Sequence, residues 1–174
     1  MTDRLGTLTH TNAGWQLQFV RQLDKPPASV WRAFADPELR KKWFPDTMIG
    51  DLAPNAELTF ASDYGTSFDG KVLEVDEPRL LVLLWGTDEL RFELAERNGA
   101  TDLTLTVSFA EQGKAARDGA GWHECLDHLA ELYGGTNPRT WGDIHPAYVE
   151  HFGPAASTIG PPQEYLDAQR SSTS

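Results

Sequence analysis

A chain of 174 residues with 40% hydrophobic side chains is long enough for one substantial core and too short for two domains of ordinary size. Its 15 basic and 26 acidic side chains leave a formal charge of -11, which repels phosphate backbones and anionic lipid and so disfavours nucleic-acid and membrane-surface binding. Cys125 is the single cysteine, which excludes an intrachain disulfide and a cysteine-based zinc site within one chain.

The opening residues MTDRLGTLTHTNAG contain no apolar stretch of the signal-peptide kind, and no segment approaches the roughly 18 apolar residues of a membrane span. A soluble cytoplasmic protein is expected, with residues 1–11 as an N-terminal extension, 12–135 as one domain and 136–174 as a partly ordered C-terminal extension. In WQLQFVRQL (15–23), Trp15, Leu17 and Phe19 alternate with Gln16 and Gln18, the period of a half-buried strand. The pattern then turns helical. Val30, Trp31 and Phe34 are at helical spacing, Pro26 and Pro27 mark the start, and Asp36-Pro37 supplies a second N-cap, predicting short helices over 28–35 and 37–43.

Five strands follow, over 57–62, 67–78, 79–86, 88–97 and 100–111, with Glu77-Pro78, Gly86-Thr87-Asp88 and Asn98-Gly99 as the turns of an antiparallel meander. Leu90, Phe92 and Leu94 alternate with Arg91 and Glu93, while Leu103, Leu105, Val107 and Phe109 alternate with Thr104, Thr106 and Ser108. One face is apolar and needs a cover. The cover is predicted at 117–133, where Trp122, Leu126, Leu129, Leu132 and Tyr133 form one stripe that ends at Gly134-Gly135.

Strand, two short helices, antiparallel strands and a long C-terminal helix resemble the α+β helix-grip fold of the START-like, or SRPBCC, superfamily. Within it, PPASVWRAFADPELRKKWF and GWHECLDHLAELYGG are similar to the two signatures of the family of the activator of the 90-kDa heat-shock-protein ATPase, over about residues 12–135. The resemblance implies an antiparallel sheet wrapped around the long helix. It leaves activity open, since the superfamily includes lipid and hormone binders and polyketide cyclases.

GWHECLDHLAELYGG also invites a metal reading, which its spacing opposes. His123 and His128 are five residues apart, about 140° around a helix, so the imidazoles diverge. A solvated polar face is expected instead, with His123–Asp127 and Glu124–His128 as surface pairs, so that no metal and no cofactor is expected. His145 and His151 are read as incidental polar residues.

Ordinary core material accounts for each aromatic residue taken singly, yet together they fit a cavity between sheet and helix. The expected lining is Trp31, Phe34, Trp43, Phe60, Phe68 and Trp85 on one part of the chain, and Phe92, Phe109, Trp122, Leu126, Leu129 and Tyr133 on the other. Acid–base candidates are scattered over Asp46, Glu57, Asp63, Asp69, Glu74 and Arg91, with Arg91 and Glu93 expected to face solvent. Catalytic residues are therefore left unassigned.

Arg40-Lys41-Lys42 reads as an exposed helix face, with docking to an acidic chaperone surface as the disfavoured alternative. After Gly135 the chain is rich in proline, glycine and small polar residues yet keeps Trp141, Tyr148, Phe152 and Tyr165. A short helix from Pro146 to Phe152 is predicted, with 136–166 packed over the domain or across a second copy in a homodimer. The expected function is binding of a small hydrophobic or aromatic molecule. The alternatives are a polyketide cyclase- or dehydratase-like enzyme using the same cavity, and a co-chaperone-like interaction module.

Overall fold

Period-two alternation decides the sheet. The computed structural model describes residues 4–135 and 138–161, together with Asp167 and Arg170. Eight strands form one antiparallel sheet in the order β1-β2-β8-β7-β6-β5-β4-β3. They are β1 (Thr7–Thr11), β2 (Gly14–Leu23), β3 (Thr47–Ile49), β4 (Glu57–Ala61), β5 (Ser67–Asp76), β6 (Leu80–Trp85), β7 (Asp88–Arg97) and β8 (Ala100–Phe109). Leu17, Leu90 and Val107 stand in register across three strands, as do Phe19, Phe92 and Leu105, and all six are buried on the concave face. Arg91 and Glu93 face solvent as expected and pair with each other at 2.5 Å.

Two strands escaped the alternation argument. β1 lies within the expected N-terminal extension and pairs along β2, and β3 is only three residues long. Neither has a complete apolar face, so their strand state comes from the neighbour that supplies backbone hydrogen bonds.

The helices α1 (Pro27–Ala35) and α2 (Pro37–Arg40) carry the chain from β2 to β3 at the far edge. Proline starts each, and the Asp36 side chain accepts from Glu38 N at 2.9 Å, satisfying one of the free donors at the start of α2. The expected helix over 37–43 ends at Arg40. Arg40 also corrects the reading of Arg40-Lys41-Lys42 as an exposed face: its guanidinium is buried and donates to Phe34 O at 2.8 Å and Met48 O at 3.2 Å. Lys41 remains exposed and pairs with Glu38.

α3 (Ala115–Glu131) is the long helix gripped by the sheet, with Trp122, Leu126 and Leu129 buried against it. Gly134 stops the helix in the left-handed region at φ 93°, and Gly135 N closes onto Ala130 O at 2.9 Å.

α4 (Trp141–Phe152) begins five residues earlier than the sequence predicts. Thr140 caps it by accepting from Asp143 N at 3.3 Å, and Pro146 is accommodated inside the helix on its exposed side. α4 packs on α3, with Ile144 and Tyr148 buried. Gly119 makes the close approach possible, since a Cβ there would meet Tyr148 Cδ1 at 2.9 Å. Residues 138–161 thus pack over the domain. Tyr165 and the rest of the expected tail lie outside the described residues, apart from Asp167 and Arg170.

Candidate functional site

Two groups of side chains converge on α3, one on each flank. On the α4 side, His123 corrects the expectation of a solvated histidine, because it is fully buried. Its Nδ1 is 2.7 Å from the Tyr148 hydroxyl, which accepts from Gly6 N at 2.8 Å, and its Nε2 is 3.1 Å from Arg139 Nη2. A guanidinium only donates, so Nε2 faces a donor in Arg139, while Nδ1 faces both the Tyr148 hydroxyl and, at 3.5 Å, Arg21 Nη2.

Arg21 approaches the same ring at 3.5 Å, and Asp127 stands 3.8 Å from Nε2. Burial lowers the Arg21 pKa from its ordinary value, with Tyr148 and Asp127 opposing, and burial pushes Tyr148 up to about 12. The cluster is buried at Arg21, His123 and Tyr148, partly exposed at Asp127 and Arg139, and joins the residues before β1, β2, α3 and the C-terminal segment. None of its side chains lines either opening described below, and it acts as a fastening.

On the other flank lies a cleft of about 480 Å³, open on one side. Its walls are the loop from Lys42 to Asp46, the β4–β5 hairpin with Tyr64 and Phe68, Trp85 at the end of β6, the α3 residues from Arg117 to His128, and Trp141 and Pro161 from the extension. The nearly buried Trp43 and Trp122 form the floor. Phe68, Trp85 and Trp141 are half-buried and expose more of their rings.

A chain of aromatic contacts holds this floor. Phe60 stacks on Phe68, whose ring centroid is 5.5 Å from that of Trp85, and Trp85 meets Trp122 edge-on at 5.2 Å. Trp122 in turn meets Phe44 at 5.7 Å, and Phe44 meets Trp43 at 5.5 Å. Such edge-to-face packing stabilises each pair by about 0.5–1.5 kcal/mol beyond burial and keeps the cleft wall preformed.

Of the twelve residues expected to line a cavity, Trp43, Phe68, Trp85 and Trp122 line the cleft. Phe34, Phe60, Phe92, Leu126 and Leu129 are packed solid in the core, as are Trp31 and Phe109. Tyr133 is half-buried, and its hydroxyl donates to Ser29 O and Val30 O, fastening α3 to α1. The buried side chains occupy the space between sheet and helix, and the cleft lies at one edge of the grip.

Among the polar lining groups, Asp46 accepts from Trp85 Nε1 at 2.8 Å. Desolvation raises its pKa, opposed by that hydrogen bond and reinforced by Asp63. Asp46 was among the scattered acid–base candidates, but its neighbours were not legible. Phe44, Tyr64 and Cys125 were not foreseen as lining residues, and Glu124, expected to pair with His128 on the surface, accepts from Trp141 N while His128 lies 3.9 Å from Glu131. Burial raises the Cys125 pKa, with Glu124 and Asp46 adding to the effect, so this thiol is not a poised nucleophile.

Trp141 closes the wall: its backbone N–H donates to Glu124 and its indole N–H to Arg117 O at 3.0 Å. The retained aromatics of the tail were the only signal for it. His145 stacks on Trp141 with centroids 4.2 Å apart, and His128 lines the cleft. No group of three His, Cys, Asp or Glu side chains among the described residues is arranged to hold a metal ion. A second depression of about 540 Å³, beside Pro27 and β7, has no aromatic lining and is edged by Arg79, Arg91, Glu93 and Glu96.

The family model described as "Activator of Hsp90 ATPase homolog 1-like protein" matches residues 24–134. The chain belongs to this family. No curated protein matches it. Among solved structures, it is similar to EF2215, a conserved protein of unknown function from Enterococcus faecalis, at 22% identity, a TM-score of 0.72 and coverage of 84% of this chain and 89% of that one. CalU16 from Micromonospora echinospora is 25% identical, with a TM-score of 0.66 and coverage of 86% and 94%. DynU16, a protein of the dynemicin biosynthetic locus, is 23% identical, with a TM-score of 0.61 and coverage of 71% and 49%.

These likenesses establish the START-like helix-grip fold for this member of the Hsp90-activator-like family. The matched region stops before Arg139 and Trp141, so the residues that complete the cleft wall and fasten α4 lie beyond it. No helix is long and apolar enough to cross a membrane among the described residues.

Proposed function

We propose that this START-like domain binds a small aromatic or hydrophobic molecule in the cleft between α3, Trp85 and the β4–β5 hairpin. The observation that carries the reading is the cleft itself: a preformed opening of about 480 Å³ with four indoles, Trp43, Trp85, Trp122 and Trp141, in its wall. That size, and a lining in which seven aromatic rings stand among charged and polar side chains, suit a single small ligand.

Titration with 1-naphthol, read by quenching of tryptophan fluorescence, tests it. Saturable quenching with a raised melting temperature is expected, since a ligand that prefers the native state stabilises it. Quenching that does not saturate, with an unmoved melting temperature across naphthol and other aromatic compounds, overturns the reading.

A second reading, a cyclase-like enzyme using the same cleft, is favoured by the desolvated Asp46 carboxyl facing it. A group with a raised pKa beside a bound phenol or ketone is suited to exchange a proton with it. Turnover lost in Asp46→Asn while binding is kept would distinguish an enzyme from a binder. The docking of a chaperone through Arg40-Lys41-Lys42 has less support, because Arg40 is engaged inside the fold.

A further inference from the structure

We propose that the cleft selects aromatic molecules that carry a cationic group, an ammonium or guanidinium, over neutral and anionic ones. This rests on the binding reading above and adds the charge of the ligand to it. Four carboxylates, Asp46, Asp63, Asp118 and Glu124, line the cleft against two cations, Lys42 and Arg117. One cation is already committed: Arg117 Nε is 2.8 Å from Asp118, which Lys114 also approaches at 3.5 Å.

Asp46 has no cationic partner among the described residues, and its hydrogen bond comes from the neutral Trp85 indole. Asp46 and Asp63 are near enough to act on each other electrostatically, and Asp63 and Glu124 both act on the Tyr64 hydroxyl. Three carboxylates therefore surround one opening and share it with the rings of Phe68, Trp85 and Trp141. A ring face attracts a cation through its quadrupole, and a carboxylate attracts it by charge. An anion would meet both as repulsion. Two further titratable groups line the cleft: the Cys125 thiol, whose pKa burial raises, and His128, 3.9 Å from Glu131 on the outer part of α3.

Three matched probes test the proposal at pH 7.5: 2-naphthylmethylamine, 2-naphthylmethanol and 2-naphthoate, each followed by tryptophan quenching and calorimetry. The amine is expected to bind about tenfold tighter than the alcohol, and the naphthoate more weakly than either. The amine's advantage should shrink on raising salt from 0.05 to 0.5 M, roughly as screening of a half-exposed pair requires. Asp46→Asn, and separately Asp63→Asn at an exposed position, should reduce amine binding more than alcohol binding and so narrow the ratio between the two.

Equal affinities for amine and alcohol in the wild-type protein overturn the charge preference and leave the aromatic cleft standing. A preference that survives both variants overturns the assignment to these carboxylates. Failure of all three probes to bind overturns this proposal together with the binding reading beneath it.

Discussion

The Tyr148 hydroxyl lies 2.7 Å from His123 Nδ1 and also accepts the backbone N–H of Gly6, so one side chain of α4 joins the long helix to the residues before the first strand. The histidine that attracts notice in the sequence as a metal ligand is thus a buried fastening. Its worth comes from what would be left unpaired without it.

Tyr148→Phe should therefore cost about 1–3 kcal/mol for each of the two buried groups that lose the hydroxyl, Gly6 N–H and His123 Nδ1. His123→Ala should also destabilise by more than about 2 kcal/mol, through the cavity and the orphaned Arg139 contact. Chemical denaturation of both single variants and the double variant checks this. Strict additivity of the two changes would contradict a direct coupling between them.

Gly119→Ala places a methyl group 2.9 Å from Tyr148 Cδ1, too close for the present packing of α4 on α3. An overpacking cost of about 1–3 kcal/mol is expected, with protection of the α4 amides lost first in hydrogen exchange. Unchanged α4 protection would show that the helices can separate freely at this point.

Trp122 forms the cleft floor, in edge contact with Trp85 and Phe44. Trp122→Ala should cost about 3–5 kcal/mol of folding stability, while Trp122→Phe should keep the fold and weaken naphthol binding. The pair of variants separates the loss of a floor from the loss of the protein. Unaltered binding in a folded Trp122→Phe would move the ligand elsewhere in the cleft.

Asp46 gives a pH prediction with a definite sign. Desolvation raises its folded pKa above the unfolded value near 4, so its contribution to stability is fully present below that value and is lost as pH rises through the folded pKa. Asp46→Asn should thus raise the melting temperature at pH 7, and the gain should vanish on acidification below about pH 4. Trp85→Phe removes the hydrogen bond that opposes the shift, and an NMR titration should then find the Asp46 carboxyl titrating at higher pH than in the wild type. A downward shift would refute the assigned cause.

Much of the sheet was legible because alternation is local. Leu90-Phe92-Leu94 and Leu103-Leu105-Val107-Phe109 declare their faces without reference to anything else, and the α3 stripe declares the cover. The same rule contained a signal that was passed over: Arg21 falls in phase with Leu17, Phe19 and Leu23 and is opposite Leu103, so a buried arginine was implied within β2. A buried arginine requires partners. That requirement points toward a polar cluster on the concave side, although not toward its members.

The chain alone thus determined the α+β class, the antiparallel pairing, the two proline-started helices and the amphipathic α3, all properties of residues a few positions apart. Which aromatics fill the core and which border an opening was decided by tertiary structure, because both kinds have the same hydrophobicity and period. Phe60 and Phe68 show this: they stand opposite each other on paired strands, yet the first is fully buried and the second lines the cleft. The joining of Gly6, Arg21, His123, Arg139 and Tyr148 is likewise non-local, since it depends on where α4 lands. Burial then gives those contacts their energetic weight, by removing the water that would otherwise satisfy each polar group.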